Sequence, residues 1–113
     1  MSAVNSSTNC LVENNIFRKL RHALVAASGS NCNVWAFNYS REQTYTFDGD
    51  PSNDPTDRDL DLHAKWPFAH LFEQNLIEEI GSDDCWGANG FYNTFLRNFC
   101  YDQGRIGLKA MEH

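Results

Sequence analysis

The sequence predicts an α+β fold in which about three helices pack on a small antiparallel sheet. Three observations lead to this class: apolar residues recur at three- and four-residue steps in several stretches, one intervening stretch alternates strictly, and turn-forming residues separate the two patterns. All 113 residues are expected to form one domain, in which the small polar residues 1–9 are disordered. No internal repeat is evident.

The first helix is predicted from about Cys10 to Gly29. Its apolar stripe consists of Val12, Ile16, Leu20, Ala23 and Ala27. The helix is expected to end at SGSN, because glycine readily adopts the left-handed conformation found after many helices.

A β-hairpin is predicted from NVWAFNY and TYTF, which the polar segment SREQ separates. Trp35, Phe37 and Tyr39 are expected on one face of the first strand, and Tyr45 and Phe47 on one face of the second. An isolated hairpin is only marginally stable. Completion of the sheet by a second subunit, most simply in a symmetric dimer, is therefore an open alternative.

Two further helices are predicted after the hairpin. In WPFAHLFEQNLIEEIG, an apolar stripe is formed by Phe68, Phe72, Leu76 and Ile80. The last helix is expected from about Asn89 to Gly104. Its wide, aromatic-rich apolar face is formed by Phe91, Tyr92, Phe95, Leu96, Phe99 and Cys100.

Composition restricts the class of protein. A hydrophobic fraction of 42% and an aromatic fraction of 13% indicate a folded chain. The net charge of −6 disfavours nucleic-acid binding, and no apolar run is long enough for a membrane span. The N-terminus lacks the features of a secretory signal, and the 4 cysteines show no C-x-x-C spacing. Free thiols in a cytoplasmic protein are expected.

The acidic run DGDPSNDPTDRDLD raises the possibility of a calcium loop. An EF-hand requires glycine at its sixth position, where this run has Asn53, and prolines at the fourth and eighth positions disrupt the turn. The EF-hand interpretation therefore fails. A solvated, proline-braced loop is expected instead.

A metal or acid–base site is the second hypothesis for this region. Asp59, Asp61 and His63 alternate and would project from one side of an extended chain, while His70 is expected near the start of the second helix. Carboxylates and imidazoles can ligate zinc or exchange protons with a substrate. The competing interpretation is a surface His63 and a packed His70. No cofactor is predicted.

An aromatic-lined ligand cleft is the third hypothesis. Its candidate residues are Trp35, Phe37, Tyr39, Tyr45, Trp66 and Trp86. The alternative is that these side chains form the core on which the helices pack.

The stretch LRHALVAASGSNCNVWAFNYSREQTYTFDGD resembles the opening of some PAS sensor domains, in which a helix leads into an aromatic strand and then a second strand. The resemblance implies a ligand-sensing pocket over a five-stranded antiparallel sheet. Asn38 stands where the family has an aspartate, and no functional residue is carried over.

Three functions remain open on the sequence. The first is a small homo-oligomeric binding module with an aromatic-lined cleft for a small molecule or a protein partner, with a dimer as the expected assembly. The second is a metal-dependent or acid–base enzyme that uses the Asp59–His70 region. The third is an acidic protein-interaction or PAS-like sensor module.

Overall fold

The computed structural model describes residues 2–43, 58–63, 65–83, 87–101 and 106–107, and all regular elements within these ranges are short β-strands. The strands are β1 (Ser2–Asn5), β2 (Leu11–Glu13), β3 (Ile16–Arg18), β4 (Leu24–Ala27), β5 (Val34–Ala36), β6 (Tyr39–Arg41), β7 (Leu60–His63), β8 (Leu71–Glu73), β9 (Leu76–Ile77), β10 (Ile80–Asp83), β11 (Thr94–Leu96), β12 (Phe99–Cys100) and β13 (Ile106–Gly107).

The strands form three parallel sheets. Sheet 1 has the order β1-β4-β7-β10-β13, sheet 2 the order β2-β5-β8-β11, and sheet 3 the order β3-β6-β9-β12. The chain visits the three sheets in rotation, so each circuit stacks on the one before it. This arrangement is a parallel β-helix, in which β1–β3 form the first coil, β4–β6 the second, β7–β9 the third and β10–β12 the fourth.

The predicted α+β class is wrong. The predicted first helix contains β2, β3 and β4, the second contains β8 and β9, and the third contains β11 and β12. The first strand of the predicted hairpin is not continuous, because NVWAFNY divides into β5 and the start of β6, which belong to different sheets and pair in parallel with strands of neighbouring coils. The second predicted strand, TYTF, lies outside the described residues. The antiparallel sheet that a PAS domain implies is likewise not formed by these strands.

The helix-like spacing arises from five-residue steps between strands. Leu11–Glu13 and Ile16–Arg18 are each three residues long and are joined by a two-residue corner. Val12 and Phe17 pack against the core, while Leu11 and Ile16 lie on the outer surface. Apolar residues on both faces, repeated after five residues, imitate the stripe of an amphipathic helix.

The coils carry a repeat that an insertion interrupts. Equivalent residues on sheet 2 are 23 apart between the first and second coils, 37 apart between the second and third, and 23 apart between the third and fourth. The longer interval contains the whole acidic run, and residues 44–57 lie outside the described part of the chain. The prediction that no repeat exists is therefore corrected.

A left-handed residue forms the corner between sheets 2 and 3 in every coil. Asn14, Phe37, Gln74 and Arg97 have φ values of 57°, 56°, 51° and 55°. This conformation turns the chain from one sheet to the next, and it costs free energy for any residue other than glycine. The four equivalent values show that the corner geometry is set by the stacking of coils rather than by the residue type.

An asparagine follows each of these corners and ties the coils together. The backbone amide of Asn15 donates to the side-chain Oδ1 of Asn38 at 3.1 Å. In the same way, the backbone amide of Asn38 donates to Oδ1 of Asn75 at 3.0 Å, and that of Asn75 to Oδ1 of Asn98 at 3.0 Å. We call Asn15, Asn38, Asn75 and Asn98 the asparagine ladder. It satisfies amides that point into the corner, where a buried unpaired donor would be costly.

The core is filled by a stack of rings that runs along the axis of the β-helix. Phe72 stacks between Trp35 and Phe95, with ring centroids 4.7 and 4.9 Å apart. Trp35 and Phe72 are fully buried. Because these inward positions are in register, the strand spacing itself places the rings at stacking distance.

Candidate functional site

Asp59 lies inside the β-helix, at the corner that leads from sheet 3 into β7. It is fully buried and accepts hydrogen bonds from the Ser40 hydroxyl at 2.7 Å and from the Glu78 amide at 3.0 Å. Burial is the main cause that raises the pKa of its carboxyl, although both hydrogen bonds act in the opposite direction. Asp59 therefore acts as an acceptor that fixes two neighbouring strands.

A second carboxylate and a thiol lie close to Asp59. Glu79 is also fully buried and pairs with Arg58 at 3.4 Å. Burial, followed by the charges of Asp59 and Glu79, raises the pKa of the Cys100 thiol. A thiol with a raised pKa is a weak nucleophile at neutral pH, so this cluster favours packing over thiolate chemistry.

Asp61 and His63 form a carboxylate–imidazole pair on β7. Nδ1 of His63 lies 3.5 Å from Oδ2 of Asp61, and the histidine side chain is 38% exposed whereas the aspartate is buried. The ring of His22 is 6.1 Å from that of His63, and its Nδ1 contacts the carbonyl oxygen of Arg58 at 2.7 Å. The pair is the part of the predicted acid–base set that the structure brings together.

His70 lies at a different corner, just before β8, and joins the hydrogen bonding of the core. The amide of Asn33 donates to its Nδ1 at 3.2 Å, so its Nε2 carries the proton and donates to the Ser30 hydroxyl at 3.1 Å. Burial lowers the pKa of His70 to about 4. The imidazole is therefore neutral at pH 7, and both of its nitrogens are already hydrogen-bonded. His70 does not lie together with Asp59, Asp61 and His63.

The metal prediction receives no support from these positions. Among the described residues, no group of three or more histidine, cysteine, aspartate or glutamate side chains is arranged to hold a metal ion.

The predicted aromatic ligand residues are dispersed over the molecule. Trp35 belongs to the core stack, Phe37 is an exposed corner residue, and Tyr39 is half-buried on the outer face of sheet 3. Trp66 is exposed at a corner between sheets 1 and 2. Tyr45 and Trp86 lie outside the described residues. The four predicted residues that the structure describes do not lie together in one cleft.

Trp66 instead contacts the ring of Phe91, which in turn lies beside the ring of Tyr92. We call Trp66, Phe91 and Tyr92 the aromatic corner. Their exposed fractions are 41%, 49% and 85%. Trp66 and Phe91 meet edge to face with centroids 5.4 Å apart, and Phe91 and Tyr92 are 6.3 Å apart.

Backbone contacts hold the aromatic corner in place. The amide of Trp66 donates to the carbonyl of Ala88 at 2.8 Å, and the amide of Gly90 donates to that of Pro67 at 3.0 Å. A Cβ atom at Gly90 would lie 2.6 Å from the Cβ of Phe68, so only glycine allows the two segments to approach this closely. Asn93 closes the corner by donating to the carbonyls of Pro67 and Gly90.

A second exposed surface covers the outside of sheet 3. Its apolar column is formed by Ile16, Tyr39, Leu76 and Phe99, one from each coil. Beside it runs a polar column of Arg18, Arg41, Glu78 and Tyr101. Tyr101 packs edge to face on Tyr39 and Phe99, and the Arg41 guanidinium lies 5.0 Å from the Tyr101 ring centre. We call these two columns the sheet 3 face.

Comparison with known proteins identifies no relative. No family model matches the chain, and no match is found among curated proteins or solved structures. Within the described ranges, none of the segments forms a helix with the length and hydrophobicity needed to cross a membrane.

Proposed function

We propose that this protein is a non-catalytic binding module that holds an uncharged, ring-shaped ligand on the aromatic corner. An oligosaccharide is the class that fits best. The observation that carries the proposal is the contiguous exposure of Trp66, Phe91 and Tyr92 on a rigid corner. Contiguous apolar groups at a protein surface commonly mark a site of interaction.

A sugar ring matches the chemistry of this corner. A pyranose presents an apolar face of C–H groups, which stacks on an aromatic ring, and a rim of hydroxyl groups, which stays in contact with water. Tyrosine and tryptophan suit such a ligand because each combines a broad apolar face with one polar group. The exposed Lys65, next to Trp66, offers a hydrogen-bond donor to a hydroxyl at the rim.

The scaffold supports binding by keeping the rings in place before the ligand arrives. Trp66 and Tyr92 both have left-handed backbones, with φ values of 67° and 62°. The backbone amide of Trp66 is bonded to the carbonyl of Ala88 in the next coil. A preformed surface loses little conformational freedom on binding. The net charge of −6 disfavours an anionic ligand and leaves neutral saccharides as the preferred class.

The test is a titration of the protein with neutral oligosaccharides such as cellohexaose, xylohexaose and chitohexaose, followed by calorimetry. Trp66→Ala is expected to weaken binding by tenfold or more, which corresponds to about 1.4 kcal/mol. Phe37→Ala is the matched control, because Phe37 is also an exposed left-handed corner residue but lies between sheets 2 and 3. It is expected to leave the affinity unchanged.

Two outcomes contradict this proposal. The first is the absence of binding to any neutral oligosaccharide in a broad glycan array. The second is binding that Trp66→Ala and Phe37→Ala weaken equally. Retention of a protein partner that is lost only in Trp66→Ala would instead assign the corner to a protein ligand.

An acid–base enzyme is the second candidate, and the Asp61–His63 pair favours it. A buried carboxylate 3.5 Å from a half-exposed imidazole orients the ring. Hydrolysis of an activated ester such as p-nitrophenyl acetate is a suitable assay. Activity that His63→Gln abolishes and His22→Gln retains would support it, and equal activity in all three proteins would exclude it.

A cytoplasmic location is part of the proposal. Among the described cysteines, Cys10, Cys32 and Cys100 are free thiols, which supports a reducing compartment. Cell fractionation with thiol labelling would check this assignment, and recovery of an oxidised, exported form would contradict it.

A further inference from the structure

The sheet 3 face exposes an apolar column that crosses all four coils. Ile16, Leu76 and Phe99 are 77%, 43% and 58% exposed, and Tyr39 is half-buried between them. Neighbouring strands are about 4.8 Å apart, so the column extends about 14 Å along the axis of the β-helix. Parallel sheets are usually covered on both faces, whereas here only the inner face packs on the core.

The polar column beside it changes character along the same axis. Arg18 and Arg41 stand in the first and second coils, and Glu78 and Tyr101 continue the column in the third and fourth. One half of the column thus carries two guanidinium groups, of which that of Arg18 is paired with Glu42 of the same chain. The other half offers a carboxylate and an aromatic ring, both of which attract a guanidinium.

We propose that a second copy of this chain covers the sheet 3 face, related by a two-fold axis parallel to the strands. With this axis, each column of one protomer packs on the same column of its partner, and the coils of the two protomers run in opposite order. Ile16 then faces the partner's Phe99, and Tyr39 faces the partner's Leu76. In the polar column, Arg41 faces the partner's Glu78, and Arg18 faces the partner's Tyr101.

The alternative two-fold axis, along the axis of the β-helix, fits less well. It keeps the coils in the same order and exchanges the columns, so that Arg41 would lie on the partner's Tyr39 and Glu78 on the partner's Leu76. A carboxylate buried against an apolar side chain is unfavourable. The first arrangement pairs apolar with apolar residues and cation with anion, which is the self-complementarity that a symmetric dimer requires.

Glu78 is held in a position that suits this contact. Its carboxylate accepts hydrogen bonds from the amides of Glu42 at 2.9 Å and Gln43 at 2.6 Å. A carboxylate has about four acceptor sites, so two remain for a guanidinium. The dimer does not depend on the aromatic corner, which lies between sheets 1 and 2.

The first test is the oligomeric state in solution, measured by sedimentation equilibrium. The wild-type chain is expected to dimerise, and Ile16→Lys to weaken association by tenfold or more. The matched control is Leu11→Lys, because Leu11 is also exposed, stands in the same coil and lies on the outside of sheet 2. A wild-type chain that stays monomeric at high concentration overturns the proposal, and so does a dimer that both variants weaken equally.

The second test determines which residues face each other. Ile16→Lys and Phe99→Glu are each expected to be monomeric and folded, since both side chains are largely exposed. Their mixture is expected to form a heterodimer, because Lys at position 16 meets Glu at position 99 of the other chain. Circular dichroism checks that both variants fold. If one of them does not, Tyr39→Glu takes its place as a test of dimer disruption. Failure of the folded mixture to associate rejects the proposed arrangement.

Discussion

The amide of Asn33 donates to Nδ1 of His70 at 3.2 Å, which places an imidazole at a position that asparagine occupies in both adjacent coils. In those coils, the backbone amide of Cys10 donates to Oδ1 of Asn33 at 2.8 Å, and the backbone amide of His70 donates to Oδ1 of Asn93 at 3.2 Å. The ring nitrogen of His70 thus substitutes for an asparagine oxygen. This equivalence makes the stability of the β-helix sensitive to acid.

The stability of the protein is expected to fall as the pH decreases from about 6.5 to 4. His70 has a pKa of about 4 in the folded chain, so between these values the unfolded chain binds more protons than the folded one. The folded state loses up to about 3 kcal/mol over this window from His70 alone. Urea unfolding at several pH values, followed by Trp fluorescence, measures the loss.

His70→Asn is expected to fold and to abolish most of this loss. Asparagine can accept the Asn33 amide through Oδ1 and donate through Nδ2 towards Ser30, as Asn33 itself donates to the carbonyl of Ser7. His70→Ala is the control, because it removes the Nδ1 acceptor and leaves the backbone amide of Asn33 buried without that hydrogen bond. Equal pH dependence in His70→Asn and the wild-type chain would show that another group is responsible.

Asp59 is expected to have the opposite pH dependence. Its folded-state pKa is raised, so the folded chain binds more protons than the unfolded one, and the contribution of Asp59 to stability falls as the pH rises above its unfolded value. Asp59→Asn removes this titration. Relative to the wild-type chain, the variant should become more stable as the pH rises above about 4, and a difference that does not change with pH would contradict the assignment.

Asn75→Ala is expected to lower the free energy of unfolding by about 3 kcal/mol. Oδ1 of Asn75 accepts hydrogen bonds from the backbone amide and from Nδ2 of Asn38. Its Nδ2 donates to the carbonyl oxygen of Trp35 and to Oδ1 of Asn98. The control is Asn15→Ala in the exposed first coil, where the cost is expected to be below about 1 kcal/mol. Equal costs in urea unfolding would argue against a cooperative ladder.

Some of the fold was accessible from the sequence. The alternation in NVWAFNY correctly indicated a strand, since Val34–Ala36 and Tyr39–Arg41 are β5 and β6. The expected common face of Trp35, Phe37 and Tyr39 was wrong. The corner at Phe37 rotates the chain, so Trp35 points inward and Tyr39 outward.

The β-helix itself was missed for a physical reason. Strands of two to four residues are shorter than the windows in which periodicity is read, and the paired residues of sheets 2 and 3 are 23 or 37 positions apart. The recoverable signal was the asparagine ladder, with Asn15 and Asn38, and then Asn75 and Asn98, separated by 23 residues. The insertion between the two pairs shifts the register and hides the repeat.

The candidate site was partly accessible as well. Trp66 was selected from the sequence, whereas Phe91 and Tyr92 were assigned to the apolar face of a helix. Edge-to-face contact between Trp66 and Phe91 depends on the stacking of two coils. Local patterns carry no information about that contact, because it follows from the register between coils.

Phe37→Asn is expected to stabilise the protein by about 0.5–1 kcal/mol. Phe37 holds a φ of 56° with its side chain 51% exposed, so it bears the cost of the left-handed conformation and gains little from burial. Asparagine tolerates this conformation better and already occupies the equivalent corner at Asn14, where φ is 57°. The comparison variant is Phe72→Asn, which replaces the fully buried ring between Trp35 and Phe95 and should cost about 3–5 kcal/mol or prevent folding. Thermal and urea unfolding of the three proteins measure both effects, and a destabilised Phe37→Asn variant would show that the exposed ring makes a contact that outweighs the strain.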